Sequence, residues 1–221
     1  NSVMDVNGFV QCKADITLIN SVIRVKGTFE VSPGAVINET GASSIIATGD
    51  EENEGRILIE GVLTDPIIIN SDKTNPDSEL FIIDEYSSSE STLKCLNFYG
   101  GWNNIWIVNK RLTEPISNCC FFGADYGIWQ DGMDELTDIR FSLFFDNYNT
   151  SIHVGIEPTS SDDVQMWVDN IVIDNNLEQN SFGCAIFGSD NPSYVGIFRM
   201  TNSIITNSYC GWYLDTNTNP Y

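Results

Sequence analysis

The sequence predicts an all-β fold and, within that class, a solenoid of stacked coils. Two observations carry the prediction. Short runs of β-branched and aromatic residues alternate with clusters of Asn, Asp, Gly and Ser along the whole chain, and in the C-terminal half these runs repeat column by column. Val22-Ile23-Arg24-Val25, Arg56-Ile57-Leu58-Ile59, Ile139-Arg140-Phe141-Ser142-Leu143-Phe144 and Asn170-Ile171-Val172-Ile173 read as strands. A sustained helical periodicity is absent.

Five segments align: Cys95-Leu-Asn-Phe-Tyr-Gly100, Asn118-Cys-Cys-Phe-Phe-Gly123, Phe141-Ser-Leu-Phe-Phe-Asp146, Asn170-Ile-Val-Ile-Asp-Asn175 and Asn202-Ser-Ile-Ile-Thr-Asn207, with starts 23, 23, 29 and 32 residues apart. Their fourth column reads Phe98, Phe121, Phe144, Ile173 and Ile205, always large and apolar. Their sixth reads Gly100, Gly123, Asp146, Asn175 and Asn207, always a turn former. A column that stays apolar in every unit is a stacked core position, and a β-sandwich, the alternative all-β architecture, has no reason to repeat one. A second strand follows in each unit, with Ile105, Ile128, Ile152, Ile186 and Trp212 as its inward column, and the differences in unit length fall in loops.

The N-terminal half carries a related pattern, in Ile23-Arg-Val-Lys-Gly-Thr-Phe-Glu-Val-Ser-Pro-Gly-Ala-Val-Ile37 and again in Ile57-Leu-Ile-Glu-Gly-Val-Leu-Thr-Asp-Pro-Ile-Ile-Ile69. With the later Asn-Cys-x-Phe-x-Gly units, these stretches resemble the right-handed parallel β-helix proteins of the pectin-lyase-like superfamily. The resemblance spans residues 16 to 215 and implies three short strands per coil. It implies about 8–9 coils, stacked ~4.8 Å apart, in one domain covering 1–221. Residues 1–20 are expected as an N-terminal cap and the coils over about 21–215. That superfamily includes polysaccharide lyases and hydrolases, phage tailspikes, adhesins and surface-layer proteins, so the resemblance bears on fold before activity. In character the chain is closest to the microbial surface and adhesin members.

Thirty-one acidic side chains stand against ten basic ones, a formal charge of −21. Nucleic acids and anionic bilayers are bound through clustered Lys and Arg, so neither is an expected partner. Ile67-Ile68-Ile69 and Leu80-Phe81-Ile82-Ile83 fall far short of the ~18 apolar residues of a membrane span. Six cysteines without a CxxC pair, a start at Asn1 without a leader, and the glycosylation sequons at Asn38 and Asn149 predict an extracellular or cell-surface protein.

The outward position after the second inward column reads Trp106, Trp129, His153, Phe187 and Tyr213. Such a ladder of flat rings suits a subunit interface, cover by a loop such as Asn147–Ser151 or Asn176–Gly183, or stacking on the apolar faces of sugars. His153 is the only histidine, so neither a multi-histidine metal site nor a Ser-His-Asp relay has its partners. Asp162 and Asp163 are the paired carboxylates a glycosidase would need, although the other motifs of the resembling hydrolases are missing. Asp131, Asp134, Glu135 and Asp138, and the acidic turn Asp50–Gly55, offer oxygen ligands for Ca²⁺ but lack the spacing of an EF-hand loop. No cofactor is otherwise expected.

Cys184 and Cys210 each lie two residues before an inward position of neighbouring coils, a separation compatible with a disulfide. Cys95 and Cys120 form a second candidate bridge, leaving Cys12 and Cys119 as buried thiols or as partners of each other or of another chain; six free buried cysteines are the intracellular alternative. Nothing after Asp215 reads as a cap, which favours end-to-end stacking or an oligomer. Together these readings predict a self-assembling structural or adhesive surface protein, a sheath, surface-layer or filament subunit. A polysaccharide lyase or hydrolase and a non-catalytic glycan-binding module are the alternatives.

Overall fold

The computed structural model describes residues 2–50, 53–72, 79–132, 136–156, 164–174, 184–190, 196–208 and 210–216, with only the backbone of 156, 164–165, 184–190, 196–198 and 210–216. Its regular structure is entirely β and lies in three sheets that the chain visits in turn. The first sheet holds β1 (Ser2–Val6), β4 (Ser21–Val25), β7 (Ser44–Ala47), β10 (Glu79–Ile83), β13 (Asn103–Val108), β16 (Tyr126–Gly132), β19 (Thr150–Ile156), β22 (Cys184–Asp190) and β25 (Cys210–Thr216). The second holds β2 (Phe9–Cys12), β5 (Thr28–Val31), β8 (Arg56–Glu60), β11 (Thr92–Lys94), β14 (Ile116–Ser117), β17 (Ile139–Arg140), β20 (Val164–Asp169) and β23 (Gly196–Thr201). The third holds β3 (Ile16–Ile19), β6 (Val36–Thr40), β9 (Ile67–Ser71), β12 (Leu96–Gly100), β15 (Cys120–Phe122), β18 (Leu143–Phe145), β21 (Val172–Asp174) and β24 (Ile204–Thr206).

Each strand pairs in parallel with the strand three places along the chain, which is the topology of a parallel β-helix. Residues 2–19, expected as a cap, instead supply the first strand of each sheet and pair with β4, β5 and β6.

The core is a set of columns. In the third sheet Ile37, Ile69, Phe98, Phe121, Phe144 and Ile173 are opposed in successive coils and fully buried. The rings of Phe98, Phe121 and Phe144 stack at 4.7 Å, within 7° of parallel. The first sheet adds Ile45, Phe81, Ile105, Ile128 and Ile152, and the second adds Val31, Ile59, Leu93, Ile116, Ile139 and Val168. Burying one such side chain contributes roughly 1.5–3 kcal/mol before entropy is subtracted.

The corners explain the Asn-rich composition. From the second sheet to the third the chain turns on one left-handed residue: Cys95 (φ 54°), Asn118 (56°), Phe141 (50°), Asn170 (53°) and Asn202 (49°). Asn tolerates this region because its short polar side chain bonds locally, whereas other L-residues lose about 1–2 kcal/mol there. After the third-sheet strands Gly100, Gly123, Asp146 and Asn207 are again left-handed. Serines behind the corner satisfy N–H groups that the turn takes out of the ladder. Ser142 Oγ accepts from Cys119 N at 3.3 Å and Ser203 Oγ from Ile171 N at 3.2 Å.

Candidate functional site

The three sheets turn different chemistry outward. The second is charged. Lys94 Nζ lies 2.9 Å from Glu60 Oε2, Arg56 pairs with Glu90, Arg140 bonds Asp138 at 3.0 Å, and the Arg199 guanidinium lies 5.6 Å over the Trp167 ring. Ion pairs of this exposure contribute little to stability and mark a solvated face.

On the first sheet, Ile46, Ile82, Trp106, Trp129 and His153 are opposed in consecutive coils, half-buried and outward. The backbone register continues to Phe187 and Tyr213, whose side chains lie outside the described residues. The rings of this column are tilted against one another. Trp106 and Trp129 are tilted by 58°, Trp129 and His153 by 37°, and Tyr126 stands edge-on to His153. Asp131 on β16 is the cause: its Oδ2 accepts the Trp106 indole N–H at 2.8 Å and its Oδ1 that of Trp129 at 2.7 Å. The carboxylate lies over Gly155 of the next coil, where an added β-carbon would meet Oδ1 at 2.2 Å.

The loop after Asp146 closes the cluster. Asn149 Nδ2 donates to the Tyr126 hydroxyl, and Trp102 meets the Tyr126 ring edge-on at 6.4 Å. Desolvation pushes the His153 pKa down from 6.5 to about 4 against the pull of Asp131, so the imidazole is neutral near pH 7. Burial raises the Asp125 carboxyl, against a hydrogen bond from Asn149, and it raises the Tyr126 phenol with Asp125 adding to the effect. His153, neutral near pH 7, packs beside two indoles that are bound to one carboxylate, which makes the group a cohesive cluster.

The third sheet carries a face that the sequence reading missed. Tyr99, Phe122 and Phe145 form an outward stack, with centroids 5.3 and 5.2 Å apart and planes within 14°. Beside it runs a second outward column of Ile68, Asn97, Cys120, Leu143, Val172 and Ile204. Tyr99 is 44% exposed and Ile204 60%. Phe141, at the corner leading into β18, is 55% exposed. The signal lay in the aligned segments, in the third and fifth columns that flank the buried Phe column.

Other predicted residues come out as follows. Asp162, Asp163, Asp134 and Glu135 lie outside the described residues. Asp131 accepts both indole N–H groups, and Asp138 accepts from Arg140 and from Trp167 N at 3.0 Å. Of the acidic turn, Glu51 and Glu52 lie outside the described residues, and Asp50 Oδ1 accepts from Asn53 N at 2.9 Å. Among the described residues no His, Cys, Asp and Glu cluster suits a metal, and no helix is long and apolar enough to cross a membrane. Of the sequon residues, Asn38 accepts from Asn70 Nδ2 at 2.9 Å on the third sheet, and Asn149 holds Tyr126.

Cys12, Cys95, Cys119 and Cys120 are unbridged thiols. The expected Cys95–Cys120 bridge does not form because the register sets Cys120 opposite Asn97 rather than Cys95. Cys119 is fully buried, and desolvation pushes its pKa up to about 12. Cys184 and Cys210 are Cα partners in β22 and β25, and their side chains lie outside the described residues.

No family model matches the chain, and neither a curated protein nor a solved structure matches it significantly.

Proposed function

We propose that the chain is an extracellular structural or adhesive subunit, a β-helix of the pectin-lyase-like, surface-protein kind that assembles with copies of itself. The observation that carries this reading is the contrast between the faces. In a chain of net charge −21, the third sheet presents apolar and aromatic columns and the first an apolar and aromatic run from Ile46 to His153 that continues into Arg24 and Asp5, while the second holds the ion pairs. Contiguous apolar surface on a soluble fold marks a place where something else packs. The glycan-binding reading is weaker, because the indoles are tilted and bound to Asp131 rather than laid flat for a sugar ring. The enzyme reading rests on Asp162 and Asp163, which lie outside the described residues.

Sedimentation velocity of the full chain over a wide concentration range, with and without reductant, tests the proposal. Concentration-dependent growth to larger species is expected. A single monomer boundary at every concentration overturns the reading, and screens for polysaccharide binding and cleavage would take its place.

A further inference from the structure

We propose that the outward face of the third sheet, centred on Phe122 and Phe145, is the surface through which two copies of this chain pair side by side. The inference rests on the assembly reading and names its contact. Along the two outward columns, from Thr17, Asn38 and Asn70 through Tyr99, Phe122 and Phe145 to Thr206, and from Val36 and Ile68 to Ile204, only Asp174 is charged. Two strongly acidic molecules repel each other, and they approach at least cost through a face without charge.

The rings select a protein partner over a sugar. At 5.2–5.3 Å and nearly parallel, Tyr99, Phe122 and Phe145 cover one another's faces, so their edges point outward as ridges. A pyranose stacks on a ring face, whereas ridges at the coil spacing intercalate with ridges of the same spacing. A second copy supplies that period by construction, as in the dry interfaces between paired sheets. The first sheet is the poorer surface, since its aromatics are folded onto Asp131.

Phe141 adds an independent argument. It is a bulky residue held at φ 50° and 55% exposed at the edge of this face, unfavourable for folding on both counts. Asn occupies the equivalent corner in three neighbouring coils, Asn118, Asn170 and Asn202. A phenyl ring that costs the fold stability and borders an apolar face is explained by contact with a partner.

The area sets the strength. Six strands at ~4.8 Å and three to five residues at ~3.3 Å give a face of roughly 300–450 Å² per copy. A pair then buries less than the ~1,200 Å² of a stable interface. Isolated pairing is therefore weak and rapidly reversible, and it becomes durable where many copies engage together.

Sedimentation equilibrium of the full chain compares wild type with Phe122→Lys, Phe141→Asn and Leu58→Lys, the last on the charged sheet. Wild type and Leu58→Lys are expected to pair alike, and Phe122→Lys to weaken pairing at least tenfold. Phe141→Asn is expected to weaken pairing while raising the melting temperature, a combination a purely structural role does not produce and one that holds if Phe122→Lys fails to fold. Assembly of wild type that neither variant weakens overturns this inference and leaves the assembly reading standing. A wild type that stays monomeric at the highest concentrations overturns both. A monomer retained on a neutral polysaccharide, with retention lost in Phe122→Lys, overturns pairing in favour of a glycan.

Discussion

The carboxylate of Asp131 lies over Gly155, its Cα partner in the next coil, in space that any larger residue would fill. From there it holds the indoles of Trp106 and Trp129. Gly155→Ala would place a β-carbon 2.2 Å from Oδ1. The carboxylate must then shift, and one or both indole bonds break. Hydrogen bonds to a charged group contribute about 1.5–3 kcal/mol, so a loss of that order is expected in denaturant unfolding. A change in tryptophan fluorescence should accompany it, and a fluorescence spectrum identical to wild type would show that the clamp is not intact in solution.

His153 makes stability depend on pH in a defined window. Its folded pKa is lowered from 6.5 to about 4 by desolvation. Between these values the unfolded chain binds a proton that the native state refuses, so stability falls as pH drops from 6.5 toward 4 and this contribution levels off below. At about 1.4 kcal/mol per pKa unit the full loss is about 3 kcal/mol. Unfolding free energies of wild type and His153→Phe, measured from pH 7.5 to 4, should diverge in slope across that window. Parallel curves would place the imidazole in solvent.

Phe141→Asn should stabilise the isolated chain by about 1 kcal/mol, because Asn accepts the φ of 50° that Phe resists. Thermal melting at low protein concentration checks this. A lower melting temperature would mean that the Phe141 ring packs against its own chain.

Cys119 should resist alkylation in the native protein, since it is fully buried with its pKa pushed up to about 12. Cys12 and Cys120, half-buried, should label faster despite the rise that burial causes in each. Mass spectrometry of iodoacetamide-treated protein before and after unfolding separates the sites. Native labelling at Cys119 would contradict the stacked core.

Much of the fold was legible in the sequence, because stacking repeats one side-chain role at each column. The residues aligned as starts, Cys95, Asn118, Phe141, Asn170 and Asn202, are the left-handed corners themselves, and Phe98, Phe121 and Phe144 form the buried stack. The first turn was not legible, because the residues before Ile23 carry weak alternation and only the register with β4, β5 and β6 shows them to be strands. The aromatic column on the first sheet was legible as a column but not in its geometry. The tilt comes from Asp131, two residues past Trp129 on the same outward side, and the sequence reading counted Asp131 only as an acid. The outward Tyr99, Phe122 and Phe145 stack was less legible than the inward column, because its column turns polar on both sides, at Asn70 and Asp174.

The most direct test of lateral assembly is small-angle X-ray scattering of the full chain as concentration rises, following the radius of gyration of the cross-section. Side-by-side pairing through the third sheet predicts that this radius grows with concentration in wild type and stays at the single-solenoid value in Phe122→Lys. A wild-type cross-section that never changes, whether the particle lengthens or not, would contradict the account.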